Sequence, residues 1–297
     1  MGRLSGRIAI VTGAGRGLGR AHALALAAEG AAVVVNDIGA DLQGKGADLT
    51  PAREVVREID AAGGKAVISG HDVGDWADAR SMVELAIAHF GDLHILVNNA
   101  GILRDRTLAN MDEQEWDAVI RVHLKGHAAA TRHAMAYWRS QFKKGLSVSA
   151  SIIHTSSLAG LVGSFGQANY AAAKLGVIGL SRVAALEGAT YGVRSNAVSP
   201  SARTRIETSL KVPPENEFDV FDPANVSPLI VWLSAKECTA TGQVFQAYGD
   251  RVEVMAHTTI ATDLRAGGRW TFETLDRGLA GKMGPAPSLS NFVDGLG

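Results

Sequence analysis

Seven short runs of β-branched and aliphatic residues recur between Ile8 and Tyr248, each separated from the next by a longer stretch of helical character. That alternation limits the fold more than anything else in the chain. The runs are IAIVT (8–12), AVVVND (32–37), KAVIS (65–69), HILVNN (94–99), SIIHTS (151–156), VRSNAVS (193–199) and QVFQAY (243–248). Helices are expected near 17–29, 51–62, 75–90, 112–139, 167–189 and 223–234, several with Gly just past the end, where a left-handed cap belongs. Strands and helices in this order give a parallel sheet covered on both faces. The expectation is an α/β fold, a doubly wound sheet of about seven strands.

No internal repeat is visible, and two connections break the rhythm. Gly39 to Thr50 is rich in Gly and Asp, and Ser201 to Asp222 is long and contains Pro. Loops of that length serve as lids or binding segments, or are locally disordered. After Tyr248 the apolar residues thin to scattered anchors (Val254, Met255, Trp270, Phe272, Leu275). One domain over 1–252 is therefore expected, with 253–297 as an arm packed on it or on a neighbouring subunit. Twenty-nine Lys plus Arg balance thirty Asp plus Glu, leaving no net field for nucleic acid or an anionic membrane. The lone Cys238 cannot form an internal disulfide, and no apolar run of signal length opens the chain. A soluble cytoplasmic protein is expected.

The first strand runs into Thr12-Gly13-Ala14-Gly15-Arg16-Gly17-Leu18-Gly19, directly before a helix. A Gly-rich turn there lets backbone approach a pyrophosphate while the helix N-terminus supplies free N–H groups, the Rossmann-type arrangement. Gly13, Arg16, Gly17, Leu18 and Gly19 are the expected contacts. At the end of the second strand, Asp37 can accept hydrogen bonds from an adenosine ribose. A second negative charge roughly 5 Å away would be disfavoured by about 3 kcal/mol at an effective dielectric near 20, which favours NAD over NADP. Arg16 argues the other way, since a guanidinium pairs with a phosphate. Asp72 and Val73, and Asn99, Ala100 and Gly101, emerge at the next two strand ends on the same sheet edge, where ligands of open parallel sheets bind.

The fifth strand finishes in Thr155-Ser156-Ser157, and the following helix carries Tyr170 and Lys174 four residues apart on one face. An ammonium beside a phenol favours the phenolate and suits it to exchange a proton with an alcohol. Taken alone, the pair is an ordinary Tyr and Lys on a solvated helix.

Together, TGxxxGxG, NNAG, Ser157 thirteen residues before the tyrosine, and YxxxK resemble the short-chain dehydrogenase/reductase family over roughly residues 5–250. The resemblance implies that Ser157 binds the substrate oxygen, that Tyr170 is the acid/base, and that Lys174 lowers the pKa of Tyr170 and holds the nicotinamide ribose. Hydride would pass directly to or from the nicotinamide, with no metal. Pro200 and Thr204 would lie beside the nicotinamide carboxamide, although many members have Pro-Gly where this chain has Pro200-Ser201.

VVVNDIGAD (33–41), NNAGILRDRTLANM (98–111), RVHLKG (121–126) and FGQANYAAAKLG (165–176) are similar to one branch, the (3R)-hydroxyacyl-CoA dehydrogenase modules of peroxisomal multifunctional enzymes and related bacterial proteins. That implies NAD-dependent oxidation of a 3-hydroxyacyl-CoA. Hydroxysteroids and NADPH-dependent 3-oxoacyl reduction stay open, whereas a non-enzymatic dinucleotide-binding module fits poorly with Ser157, Tyr170 and Lys174 all present. Arg203, Arg205 and Lys211 are either contacts for CoA phosphates or solvated loop residues, and Phe218 and Phe221 either line an acyl tunnel or pin the loop. Members commonly pair through the long helices, so a homodimer or homotetramer is expected.

RVHLKGH puts His123 and His127 four apart, but Leu124 stands where the HExxH metalloprotease helix has Glu. By resemblance, His123 occupies the position where most members carry an Asn that anchors a relay water behind the lysine. It is expected to be either a relay residue or a satisfied core histidine, with His127 structural.

Overall fold

The computed structural model describes residues 2–205, 210–215, 217–256, 258, 260–265 and 269–282. Among these residues, eight strands alternate with helices: β1 Ile8–Thr12, α1 Gly17–Ala28, β2 Ala32–Asn36, α2 Thr50–Ala61, β3 Lys65–Ser69, α3 Trp76–Phe90, β4 Ile95–Asn98, α4 Glu113–Ile120, α5 Gly126–Lys143, β5 Ala150–Thr155, α6 Leu158–Val162, α7 Ala168–Gly188, β6 Val193–Pro200, α8 Ser227–Ser234, β7 Val244–Tyr248, β8 Arg251–Val254 and α9 Phe272–Leu279. They form one sheet in the order β3-β2-β1-β4-β5-β6-β7-β8. The order reverses between β1 and β4, so the strand ends diverge there and open a crevice.

Successive strand residues point to opposite faces, which sorts the apolar residues into two layers. Val11, Val33, Val35 and Val97 pack with Leu26 of α1, Val55 and Ile59 of α2 and Ile230 of α8. Ile10, Val34, Leu96 and Ile152 pack with Met82 of α3, Trp138 of α5 and Ala184 of α7. Local signals set the helix ends. Asp75 caps α3 by accepting from the backbone of Ala77 and Asp78, and Asp112 forms a capping box with Glu115 at α4. No helix among the described residues is long and apolar enough to cross a membrane.

The doubly wound sheet is as expected, with one strand more than the seven runs mark and one helix interrupted. The sheet has an eighth strand, because Gly249-Asp250 turns the chain back and β8 pairs antiparallel with β7 in the register Tyr248↔Arg251 to Phe245↔Val254. All four of its residues are exposed, so no apolar run marks it. The helix expected over 112–139 is broken: Arg121–Lys125 form a π-helical turn between α4 and α5. A wider turn re-aims the side chains it carries, and such turns recur at functional sites.

Candidate active site

The carboxyl ends of β1, β2, β4, β5 and β6 surround a cleft of about 540 Å³. Gly13 has φ +65°, and a Cβ there would lie 2.8 Å from Cα of Ala100. A Cβ on Gly19 would lie 2.1 Å from the carbonyl oxygen of Gly13. The turn is therefore drawn tight against its own helix, leaving a backbone cradle at the N-terminus of α1 that suits a diphosphate. Thr12, the residue that opens the motif, ties this turn to the next: its hydroxyl accepts from the backbone N–H of Asn99 (2.9 Å) and Ala100 (3.1 Å). The side-chain amide of Asn99 donates to the carbonyls of Thr12 (3.0 Å) and Gly13 (3.3 Å), so Asn99 acts on the cradle as a brace.

Asp37 lies just beyond β2. One carboxylate oxygen accepts from the N–H of Gly15 (2.8 Å) and the other from Gly39 (2.7 Å), which holds its charge at the rim. Arg16, Leu18 and Val73 line the same end. Asp72 lines it too, but its carboxylate is engaged by the N–H of Gly74 (2.8 Å) and by Arg121. The loop after β2 crosses over this end, where Leu42 accepts from the N–H of Leu103 (3.0 Å) and Ala40 from Arg205 (3.2 Å). Pro200 and Thr204 also line the cleft, and Thr204 packs against Gly17.

At the other end Ser157, Tyr170 and Lys174 share one wall. Ser157 caps α6, its hydroxyl accepting from the N–H of Ala159 (3.2 Å). α6 lies directly against α7, because a Cβ on Gly160 would sit 2.7 Å from the backbone nitrogen of Leu175. Lys174 is 2% exposed, donates to the carbonyl of Thr155 (2.6 Å), and stands 5.5 Å from the centre of the Tyr170 ring. Ser156 fixes this turn of α7 by donating to the carbonyl of Lys174 (2.9 Å). Burial pushes the Tyr170 phenol up to about 12, against a downward pull from the Ser157 hydroxyl. The same burial pushes Lys174 down to about 7. The expected depression of the phenol is thus outweighed by desolvation.

His123 is buried behind Tyr170, ring edge to ring face at 5.1 Å. Its Nε2 lies 2.8 Å from the Ile102 carbonyl, and Gly101 leaves room for it, since a Cβ there would lie 2.5 Å from the ring. Nδ1 has no partner. Burial holds the ring neutral, with its pKa near 3. The Nδ1 atoms of His127 and His154 face each other at 3.3 Å, so one ring donates to the other.

Arg203 forms an ion pair with Asp219 inside the Ser201–Asp222 connection. Phe221 lines the cleft, whereas Phe218 is 59% exposed. Thr12, Ser156 and Arg104, which also lines the cleft, escape sequence reasoning as site residues. Only Thr12 carries a signal, as the first letter of its motif.

A doubly wound sheet with a dinucleotide cradle and a Ser-Tyr-Lys wall at its switch point defines a nicotinamide-dependent oxidoreductase. The chain belongs to the short chain dehydrogenase family, whose model matches residues 7–212. It is 46% identical over 264 residues to the hydroxyacyl-CoA dehydrogenase ChsB1 of Mycobacterium tuberculosis, covering 85% of this chain and 80% of that protein. It is 42% identical over 245 residues to the peroxisomal multifunctional enzyme type 2 of Mus musculus, covering 82% of this chain but only 32% of that one, so it spans about a third of the larger protein. A crystal structure of a short chain dehydrogenase from Mycobacterium avium superposes with a TM-score of 0.87 at 50% identity, covering 97% of this chain and 98% of the other.

Proposed function

We propose that the chain oxidises the 3-hydroxyl of a 3-hydroxyacyl-CoA with NAD, in a reducing compartment such as the cytoplasm. The observation that carries this is the placement of Ser157, Tyr170 and Lys174 on the cleft wall opposite a cradle whose ribose end holds Asp37. A nicotinamide bound in this cleft would supply the hydride acceptor. Ser157 holds the substrate oxygen, and Tyr170 takes its proton in oxidation or returns it in reduction. Lys174, anchored on Thr155, places a cation beside the phenol and offers N–H groups toward the ribose. His123 fixes the Ile102 backbone beneath Tyr170 and keeps a neutral acceptor, Nδ1, for a relay water. Leu158, Ala202, Leu210 and Phe221 give the acyl side an apolar lining.

The carboxylate of Asp37 supports NAD, because a 2′-phosphate would meet a second negative charge there. Pairing of two copies across the outer face of α7 belongs to the same reading, supported by exposed Leu175, Val183 and Leu186 (52%, 51% and 76%). A panel of 3-hydroxyacyl-CoAs and hydroxysteroids assayed with NAD tests the substrate, and fluorescence titration with NADH and NADPH tests the cofactor. Turnover confined to steroids would overturn the acyl-CoA assignment, and tighter NADPH binding would overturn the role given to Asp37.

A further inference from the structure

The cleft is lined by five cationic side chains, and three of them are committed to the protein itself. Arg121 pairs with Asp72, Arg205 donates to the carbonyl of Ala40, and Lys174 donates to that of Thr155. The side chains of Arg16 and Arg104 have no hydrogen bond or ion pair to any described residue. Arg16 belongs to the Gly-rich turn and so to the dinucleotide. Arg104 lies beyond β4, and its backbone is pinned beside the catalytic wall: its carbonyl accepts from the amide of Asn169 (3.0 Å), the residue before Tyr170.

The Nε of Arg104 is buried, and no acceptor among the described residues reaches it. Asp41 and Glu115 are within electrostatic reach of Arg104, but neither bonds it. Asp41 accepts from the backbone of Gln43 (2.8 Å) and Lys45 (2.9 Å), and Glu115 from Arg106 (3.0 Å) and the N–H of Asp112 (3.1 Å). A guanidinium left open in this way matches an anion from the ligand, which it can grip with two parallel N–H groups. Elsewhere the cleft is lined by Leu158, Ala159, Ala202, Leu210 and Phe221, whose apolar side chains offer an anion nothing.

We propose that Arg104 is a specificity-determining residue that pairs with a phosphate on the CoA handle of the substrate, while the acyl chain takes the apolar wall. This rests on the acyl-CoA reading above. The cleft then sorts the two halves of the substrate to different parts of its lining, and Arg16 and Arg104 divide the phosphates between cofactor and substrate.

The test compares 3-hydroxybutyryl-CoA with its N-acetylcysteamine thioester, which keeps the reacting carbon and the thioester but carries no phosphate. In the intact protein, Arg104→Gln is expected to lower the kcat/KM preference for the CoA ester over the short thioester about 10- to 100-fold, chiefly through KM. Arg104→Lys should recover part of the preference, and NADH affinity should not move. An unchanged preference in a variant that still binds NADH, or an equal loss with both thioesters, overturns the inference and leaves the acyl-CoA reading standing. NADH binding weakened by the same factor assigns the guanidinium to the dinucleotide's phosphates and also overturns it. Wild-type protein inactive on both thioesters overturns the reading and the inference together.

Discussion

Tyr170 and Lys174 are shifted in opposite directions by the same burial. A phenol at about 12 is protonated at neutral pH, so the site is poised to give a proton to a ketone and must lose one before it can oxidise an alcohol. Oxidation should therefore rise about tenfold per pH unit over the range where the phenolate is scarce, and Tyr170→Phe should cut kcat by about 10²- to 10⁴-fold while NADH still binds. Near-normal turnover of Tyr170→Phe would remove the tyrosine from the mechanism. Lys174 makes a stability prediction. Its folded pKa, about 7, lies below the unfolded 10.5, so the cost of burying the charge is complete below pH 7 and disappears as pH rises toward 10.5. Lys174→Met should stabilise the fold on the order of 3 kcal/mol at pH 6 and much less at pH 10, as read by urea unfolding. A gain that is equal at both pH values would show that the lysine is not buried as a charge. The spacing of Ser157, Tyr170 and Lys174 is local, so the sequence alone points to them. Arg104 gave no such signal, because its meaning lies in the partners it lacks, and the amide of Asn99 turns out to brace Thr12 and Gly13 across 87 and 86 positions of sequence.

Between elements, the contact that matters most to the site is α6 on α7. Ser157 heads one helix and Tyr170 lies in the other, and Gly160 is the point where their backbones meet. A methyl group there strikes the main chain at Leu175, which cannot rotate away as a side chain would. Gly160→Ala should cost about 1–3 kcal/mol in urea unfolding and lower kcat by separating Ser157 from Tyr170, with less effect on NADH affinity. Unchanged stability and turnover would mean that the helices part freely. The order of strands and helices is legible in the sequence because burial on both faces writes continuous apolar runs. The π turn at Arg121–Lys125 is not, since one residue of slip over five leaves the helical periodicity of its flanks intact. Nor is β8, whose pairing comes from the turn at Gly249-Asp250 and whose side chains all face water.

At the scale of the whole fold, four fully buried histidines among the described residues make it sensitive to acid. His22 bonds Ser227 and so joins α1 to α8, while His123, His127 and His154 cluster behind the lysine. Burial holds His22, His123 and His154 near a pKa of 3, and His127 well below its usual value. As pH falls below 6.5 the unfolded chain takes up these protons and the folded chain does not, so stability drops by up to about 1.4 kcal/mol per pH unit for each ring. With three rings held near 3 and a fourth lowered as well, about two pH units remove a large part of a typical domain stability of roughly 5–15 kcal/mol. The protein should therefore unfold near pH 5 to 4, before most of its carboxylates are protonated. His22 is the ring to remove, because it lies away from the cleft. In His22→Leu the pH dependence of unfolding free energy between pH 6 and 4 should become shallower by one proton, even though Ser227 loses its partner. Urea titrations at a series of pH values measure that slope, and a wild-type slope in the variant would mean that His22 is protonated in the folded state.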